Sequence, residues 1–154
     1  MIRQVSIFIE NHEGRLNHIL KILAENKINI RSLNIADATD FGIVRLILQE
    51  TEKGIEVLKK NDIITTVTPV LAAEISDEPG GLSTLVNALT EANINIIYAY
   101  SLLQKKTDNA IIIIIFAIDI TIITVQIQVF IRDFVIHDIR VGKGKRIRRH
   151  IMWR

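Results

Sequence analysis

Two short loops carry the residues that could do chemistry: Asn11-His12-Glu13-Gly14-Arg15-Leu16 and Asp77-Glu78-Pro79-Gly80-Gly81-Leu82. In each, a glycine interrupts an apolar alternating segment and a helical pattern follows. A glycine there lets the backbone turn tightly and approach a ligand. The amides just after it open a helix, so they lack intrahelical partners and sit at the positive end of its dipole. A carboxylate can be held there without any basic side chain. Asn11 adds an amide side chain able to bond either group of a zwitterion. The plainer reading is that Gly14 and Gly80 only permit a strand-to-helix turn. Their occurrence in duplicate argues for more.

The duplication extends beyond the loops. Residues 14–30 (GRLNHILKILAENKINI) and 80–96 (GGLSTLVNALTEANINI) are identical at seven of 17 positions at an offset of 66. That period is too long for a solenoid unit and fits a small domain present twice. Other chemistry is poorly supported. The chain has no cysteine, which removes disulfides, thiolate metal sites and a cysteine nucleophile. His12 and His18 straddle a loop–helix junction with no acid at a helical i+4 spacing, so no metal site is expected. Ser6, Ser32, Ser76, Ser83 and Ser101 lack a neighbouring histidine and acid, so no nucleophilic catalysis is expected. Residues 142–146 (GKGKR) lack the strand, spacing and Ser/Thr of a phosphate loop. No enzyme activity and no cofactor follow.

The elements that position these loops can be read from periodicity. Val5, Ile7 and Ile9 alternate with Ser6, Phe8 and Glu10 as a strand. Leu16, Ile19, Leu20 and Leu23 are spaced as one face of a helix. Ile28, Ile30, Leu33 and Ile35 begin a second strand, Ala36–Asp40 is a turn, and Phe41–Gln49 is a third strand. Thr51 is expected to cap a helix whose stripe is Ile55 and Leu58 and whose stop is Asn61. Ile63–Thr68 closes the unit. The order is βαββαβ, the split βαβ of ferredoxin-like folds.

A second unit begins near Val70, with Pro69 suited to the joint because it cannot donate to a ladder. Leu71–Ile75 is a strand, Leu82–Glu91 a helix with Leu82, Leu85, Val86 and Leu89 inward, and Ile94–Gln104 a strand. Lys105–Asn109 is a turn. Ala110–Ile118 is uniformly apolar, as in a strand buried on both faces. After Asp119 the repeat fails: the counterpart of the helix TEKGIEVLKK falls on DITIITVQIQ, β-branched and without a polar face. An aberrant or frameshifted end, a strand-rich extension and a helix imposed by the fold all remain open. The fold class is α+β, with two ferredoxin-like modules of antiparallel sheet, the second atypical after about residue 119. The divisions are 1–68, 70–139 and a basic tail, 140–154.

Composition is that of a globular protein, 49% apolar and 23% charged. The net charge of +2 conceals an uneven distribution, because residues 140–154 hold seven Lys/Arg and no acid. The remainder has 12 basic and 17 acidic residues, a net −5. The tail could attract a phosphate backbone, with affinity that collapses in salt. Apart from Trp153 it has no aromatic platform for stacking, so nucleic acid is not the expected partner. No leader is visible, and Ala110–Ile118 is about half of the roughly 20 residues a membrane helix needs. A soluble cytoplasmic protein is expected, with no membrane partner.

The paired N-x-x-G-x-L and D-x-P-G-x-L loops, each followed by a helix and an I-N-I strand, resemble ACT domains. These are small modules that bind amino acids and regulate metabolic enzymes. The arrangement is similar to stand-alone two-ACT proteins over residues 2–118. Asn11–Leu16 also resembles the effector loop of the acetolactate synthase small subunit. The resemblance implies a site where the glycine loop of one module faces the second strand of a neighbour. The positions it marks are Asn11, Gly14, Arg15, Leu16, Asn29 and Ile30, and in the second copy Pro79, Gly80, Leu82, Asn95 and Ile96. Asn29 and Asn95 could instead be turn residues that cap local backbone. The resemblance implies a non-catalytic sensor of a small amino acid, allosteric and homodimeric. The alternative is a regulatory subunit docked on a biosynthetic enzyme such as acetolactate synthase.

Overall fold

In a computed structural model of the chain, residues 2–36, 41–102 and 109–116 are described, together with the backbone of 135–136. Residues divide by contact density into a unit spanning Arg3–Pro69 and a second that begins at Val70. In the first, β1 (Ile2–Glu10) leads to α1 (Arg15–Glu25), then β2 (Ile30–Ala36), β3 (Phe41–Leu48), α2 (Thr51–Lys60) and the start of β4 (Thr65–Ser76). The strand order is β2-β3-β1-β4. Both β1 and β2 run antiparallel to β3, with Val5 opposite Leu46 and Leu33 opposite Leu46 on the other side. Val5, Ile7, Val44, Leu46 and Leu48 point to one face and meet Ile19, Leu23 and Leu58 of the helices. Period two on the strands and 3.6 on the helices thus converge on one aliphatic core. Each fully buried leucine or isoleucine contributes about 1.5–3 kcal/mol relative to exposure.

The second unit repeats the plan. It comprises the rest of β4, then α3 (Gly81–Glu91), β5 (Ile96–Leu102), β6 (Asn109–Phe116) and β7 (Val135–Ile136). Its order is β5-β6-β4-β7, the first unit's order strand for strand. All three described pairings are antiparallel. Ile111 to Phe116 are all buried, as expected of a central strand packed on both faces. The short β7 lies against Ala73 and Glu74, where a fourth strand belongs. The chain after Asp119 therefore still supplies this strand, although the repeat is not legible there. The possible helix over 119–128 and the tail, with His137 and His150, lie outside the described residues.

Four expectations need correction. In place of two strands, Ile63–Thr68 and Leu71–Ile75, there is one, β4, which starts only at Thr65 and continues through the exposed Pro69. Pairing with β6 starts only at Leu71, so the missing proline N–H falls outside that ladder. Thr51 is the first helical residue rather than the cap. The cap position is Glu50, whose side chain makes no capping bond, and the Thr51 hydroxyl donates to the Leu48 carbonyl at 3.4 Å. The buried ridge of α3 is Leu85 and Leu89 flanked by Ala88 and Ala92, while Leu82 and Val86 remain exposed. The expected stripe holds at Leu85 and Leu89 and fails at Leu82 and Val86, whose places toward the core are taken by the two alanines. On α1 the same shift brings in Ile22, which is buried, and leaves Leu16 and Leu20 half-buried.

All three described helices end alike. Ile28 N–H donates to Leu23 O at 2.9 Å and Lys27 N–H to Ala24 O at 2.9 Å. Asp62 and Ile63 make the same pair of bonds after α2, as do Asn93 and Ile94 after α3. This is the Schellman arrangement, which satisfies carbonyls the helix leaves orphaned. It requires a left-handed residue, and these positions hold Lys27 (φ 56°), Asp62 (φ 59°) and Asn93 (φ 55°) rather than glycine. The isoleucine that follows packs into the core with the helix's last buried leucine. The repeated I-N-I motif thus begins as a helix stop. For a lysine the left-handed region costs about 1–2 kcal/mol. Lys27→Gly should therefore raise thermal stability by about 1 kcal/mol, or roughly 2–4 °C. Asn93→Gly should gain less, because asparagine tolerates that region. Calorimetric melts of the two variants check this, and an unchanged or lowered midpoint for Lys27→Gly would contradict it.

Candidate functional site: the duplicated strand-to-helix bend

β1 ends at Glu10, and Asn11, His12, Glu13 and Gly14 form the bend, all exposed. Gly14 is left-handed (φ 81°, ψ −14°) and occupies the cap position of α1. In the second unit Gly80 is left-handed too (φ 97°, ψ −17°) and caps α3 after Asp77, Glu78 and Pro79. A Cβ at either glycine would meet nothing within 4 Å. Both therefore face open space, and only backbone conformation demands glycine there.

The amides after each glycine fall into a shared pattern. Arg15 N–H donates to His12 O at 3.3 Å, and Gly81 N–H to Glu78 O at 3.0 Å, so the first amide of each helix is used inside the bend. The next intrahelical bonds are His18 N–H to Gly14 O and Thr84 N–H to Gly80 O, both 2.9 Å. Between them, the amides of Leu16 and Asn17, and of Leu82 and Ser83, have no acceptor among the described residues. Neither helix has a side-chain cap bond or an acidic residue in its first turn. Two adjacent unpaired N–H groups at a positive dipole end occur in each unit, and each such pair can donate to one carboxylate.

The charges beside the two bends differ. In the first unit Arg15 Nη2 lies 2.8 Å from Glu10 Oε2, with both side chains about half exposed. At the offset of 66 these positions become Gly81 and Ser76. A Cβ at Gly81 would run into the Ser76 backbone carbonyl, so α3 starts hard against the end of β4. The first bend thus carries an opposite-charge pair, and the second carries none at those positions. The spacing of Glu10 and Arg15 could not reveal their pairing, which depends on the angle of the bend.

Asn29 and Ile30, and Asn95 and Ile96, stand at the far ends of the helices. α1 has 11 residues, a rise of about 16 Å, so within one unit Asn29 is remote from Gly14. The unit does not bring the two groups together. Both asparagines are exposed, at the starts of the edge strands β2 and β5. The Asn29 side chain donates to Gln49 Oε1 at 3.2 Å, and the Asn29 backbone carbonyl accepts from Gln49 N–H at 2.9 Å. It does not cap local backbone. A further shared feature was not visible in the sequence: the register shifts between Ile30 and Ser32 and again between Ile96 and Tyr98. One residue, Arg31 or Ile97, is extra at each place. Such bulges bend an edge and re-aim side chains, and are common beside binding sites.

Among the described residues no three His, Asp or Glu side chains gather as a metal site. No described helix is long and apolar enough to cross a membrane.

The contrast between adjacent glycines gives a stability test. Gly80→Ala meets no neighbour and should lose only the left-handed penalty, about 1–2 kcal/mol. Gly81→Ala lies inside the helix, where alanine ordinarily gains up to about 1 kcal/mol. The Ser76 carbonyl should reverse that sign and cost about 1–3 kcal/mol. Urea unfolding midpoints measure both. A stabilised Gly81→Ala would show that α3 is not held against the strand end.

Comparison with known proteins agrees with this fold. The structure of protein BT0572 from Bacteroides thetaiotaomicron is 29% identical, with a TM-score of 0.78 over 88% of this chain and 92% of that one. The ligand-free regulatory subunit of aspartate kinase from Thermus thermophilus is 16% identical, with a TM-score of 0.56 over 73% and 82%. Its counterpart from Thermus flavus gives 0.53 at 16% identity over 73% and 80%. At those identities the two kinase subunits share the fold alone. Among proteins of curated function none matches. Residues 1–136 match the family described as an ACT domain pair. With that match over most of its length and a strand order that occurs twice, this chain belongs to the ACT domain family, as a pair of such domains.

Proposed function

We propose that the chain is a non-catalytic sensor of a small α-amino acid, bound at the glycine bends and read out as a change in assembly. ACT domain pairs are typical of amino-acid-sensing regulatory proteins. The observation that carries the proposal is the pair of unpartnered amides after a left-handed glycine, present in both units. The ligand carboxylate would lie on the N–H groups of Leu16 and Asn17, and in the second unit on those of Leu82 and Ser83. Leu16 and Leu82 offer apolar surface beside it, which suits a small aliphatic side chain.

The first bend also has partners for a zwitterion. Arg15 would take up part of the ligand's carboxylate charge, leaving Glu10 to accept from its ammonium group, with Asn11 beside them. The pair is half exposed, so this discrimination is worth only about 1 kcal/mol, or roughly fivefold in affinity. Asn29 and Asn95 are too far from the bend of their own unit to share its ligand. They would contribute to a bend of the partner subunit in a homodimer. Binding would then stabilise one arrangement of subunits over another, with a coupling of about 1–3 kcal/mol. The sensor would act in the cytoplasm and regulate a biosynthetic enzyme through that rearrangement.

A thermal-shift screen against the twenty amino acids tests the reading. A ligand at about 100 times its dissociation constant adds roughly 2.7 kcal/mol, or about 5–10 °C. At least one small amino acid should give such a shift, and a flat response to all twenty would overturn the proposal. Gly14→Val and Gly80→Val should each remove the response of their own bend while the far-ultraviolet circular dichroism stays native. For the zwitterion, Glu10→Gln should weaken the effective amino acid about fivefold and leave its 2-oxo acid analogue unaffected. Equal losses for both ligands would show that Glu10 does not meet the ammonium group.

A further inference from the structure

We draw no further inference here: the strongest candidate, the exposed apolar patch of Phe8 and Phe41 on the helix-free face of β1 and β3, carries nothing because nothing in the structure shows what covers it.

Discussion

The left-handed bend is the constraint on which the rest of each domain depends. A strand ends with its peptide groups committed to its neighbours, and a helix begins with several committed to nothing. Joining the two in one tight turn needs a residue at positive φ, and Gly14 and Gly80 supply it at φ 81° and 97°. Once the chain has turned, its first free amide closes the bend by bonding back to His12 or Glu78. The next two have no local partner to take. Fold and candidate function thus come from a single conformational choice. That is why the glycine recurs at the same place while Asn17 and Ser83, which offer only their open backbone amides, differ in type.

Much of this was legible from residue order. Alternation located β1, a uniformly apolar run located β6, helical spacing located α1 and α3, and the doubled loop pointed to the ACT fold. What stayed hidden depended on geometry beyond local pattern. Leu82 and Val86 match a buried ridge as well as Leu85 and Leu89 do, and only the sheet beneath decides between them. Pro69 reads as a break, yet β4 passes through it because its ladder to β6 begins two residues later. The bulges at Arg31 and Ile97 leave no compositional mark. The helix stops could have been partly anticipated: asparagine before an isoleucine is a good left-handed residue, but Lys27 in the same role gives no such signal.

The candidate site was legible in part, and for a reason that can be stated. Glycine at positive φ has a sequence signature, whereas an ion pair across a bend does not. Glu10 therefore escaped notice although Arg15, its partner, was marked by resemblance. Asn29 shows the opposite case. The sequence placed it on a turn beside helix and strand, and the structure gives its side chain to Gln49 instead of to the local backbone.

Duplication usually preserves what a fold requires and releases what it does not. Here the glycine, the first closed amide, the two open amides, the helix stop and the bulge are kept in both copies. The Glu10–Arg15 pair is not, having Ser76 and Gly81 as counterparts. Gly81 is itself constrained, because its helix starts against the Ser76 carbonyl with no room for a side chain. The first bend therefore stands open enough for a guanidinium, and the second is closed over its own backbone. Two bends with the same anion-accepting amides but different side-chain surroundings need not hold one ligand with equal strength. On the proposed reading, a tandem pair of this kind would respond over a wider range of effector concentration than two identical sites, because each bend would fill at its own dissociation constant.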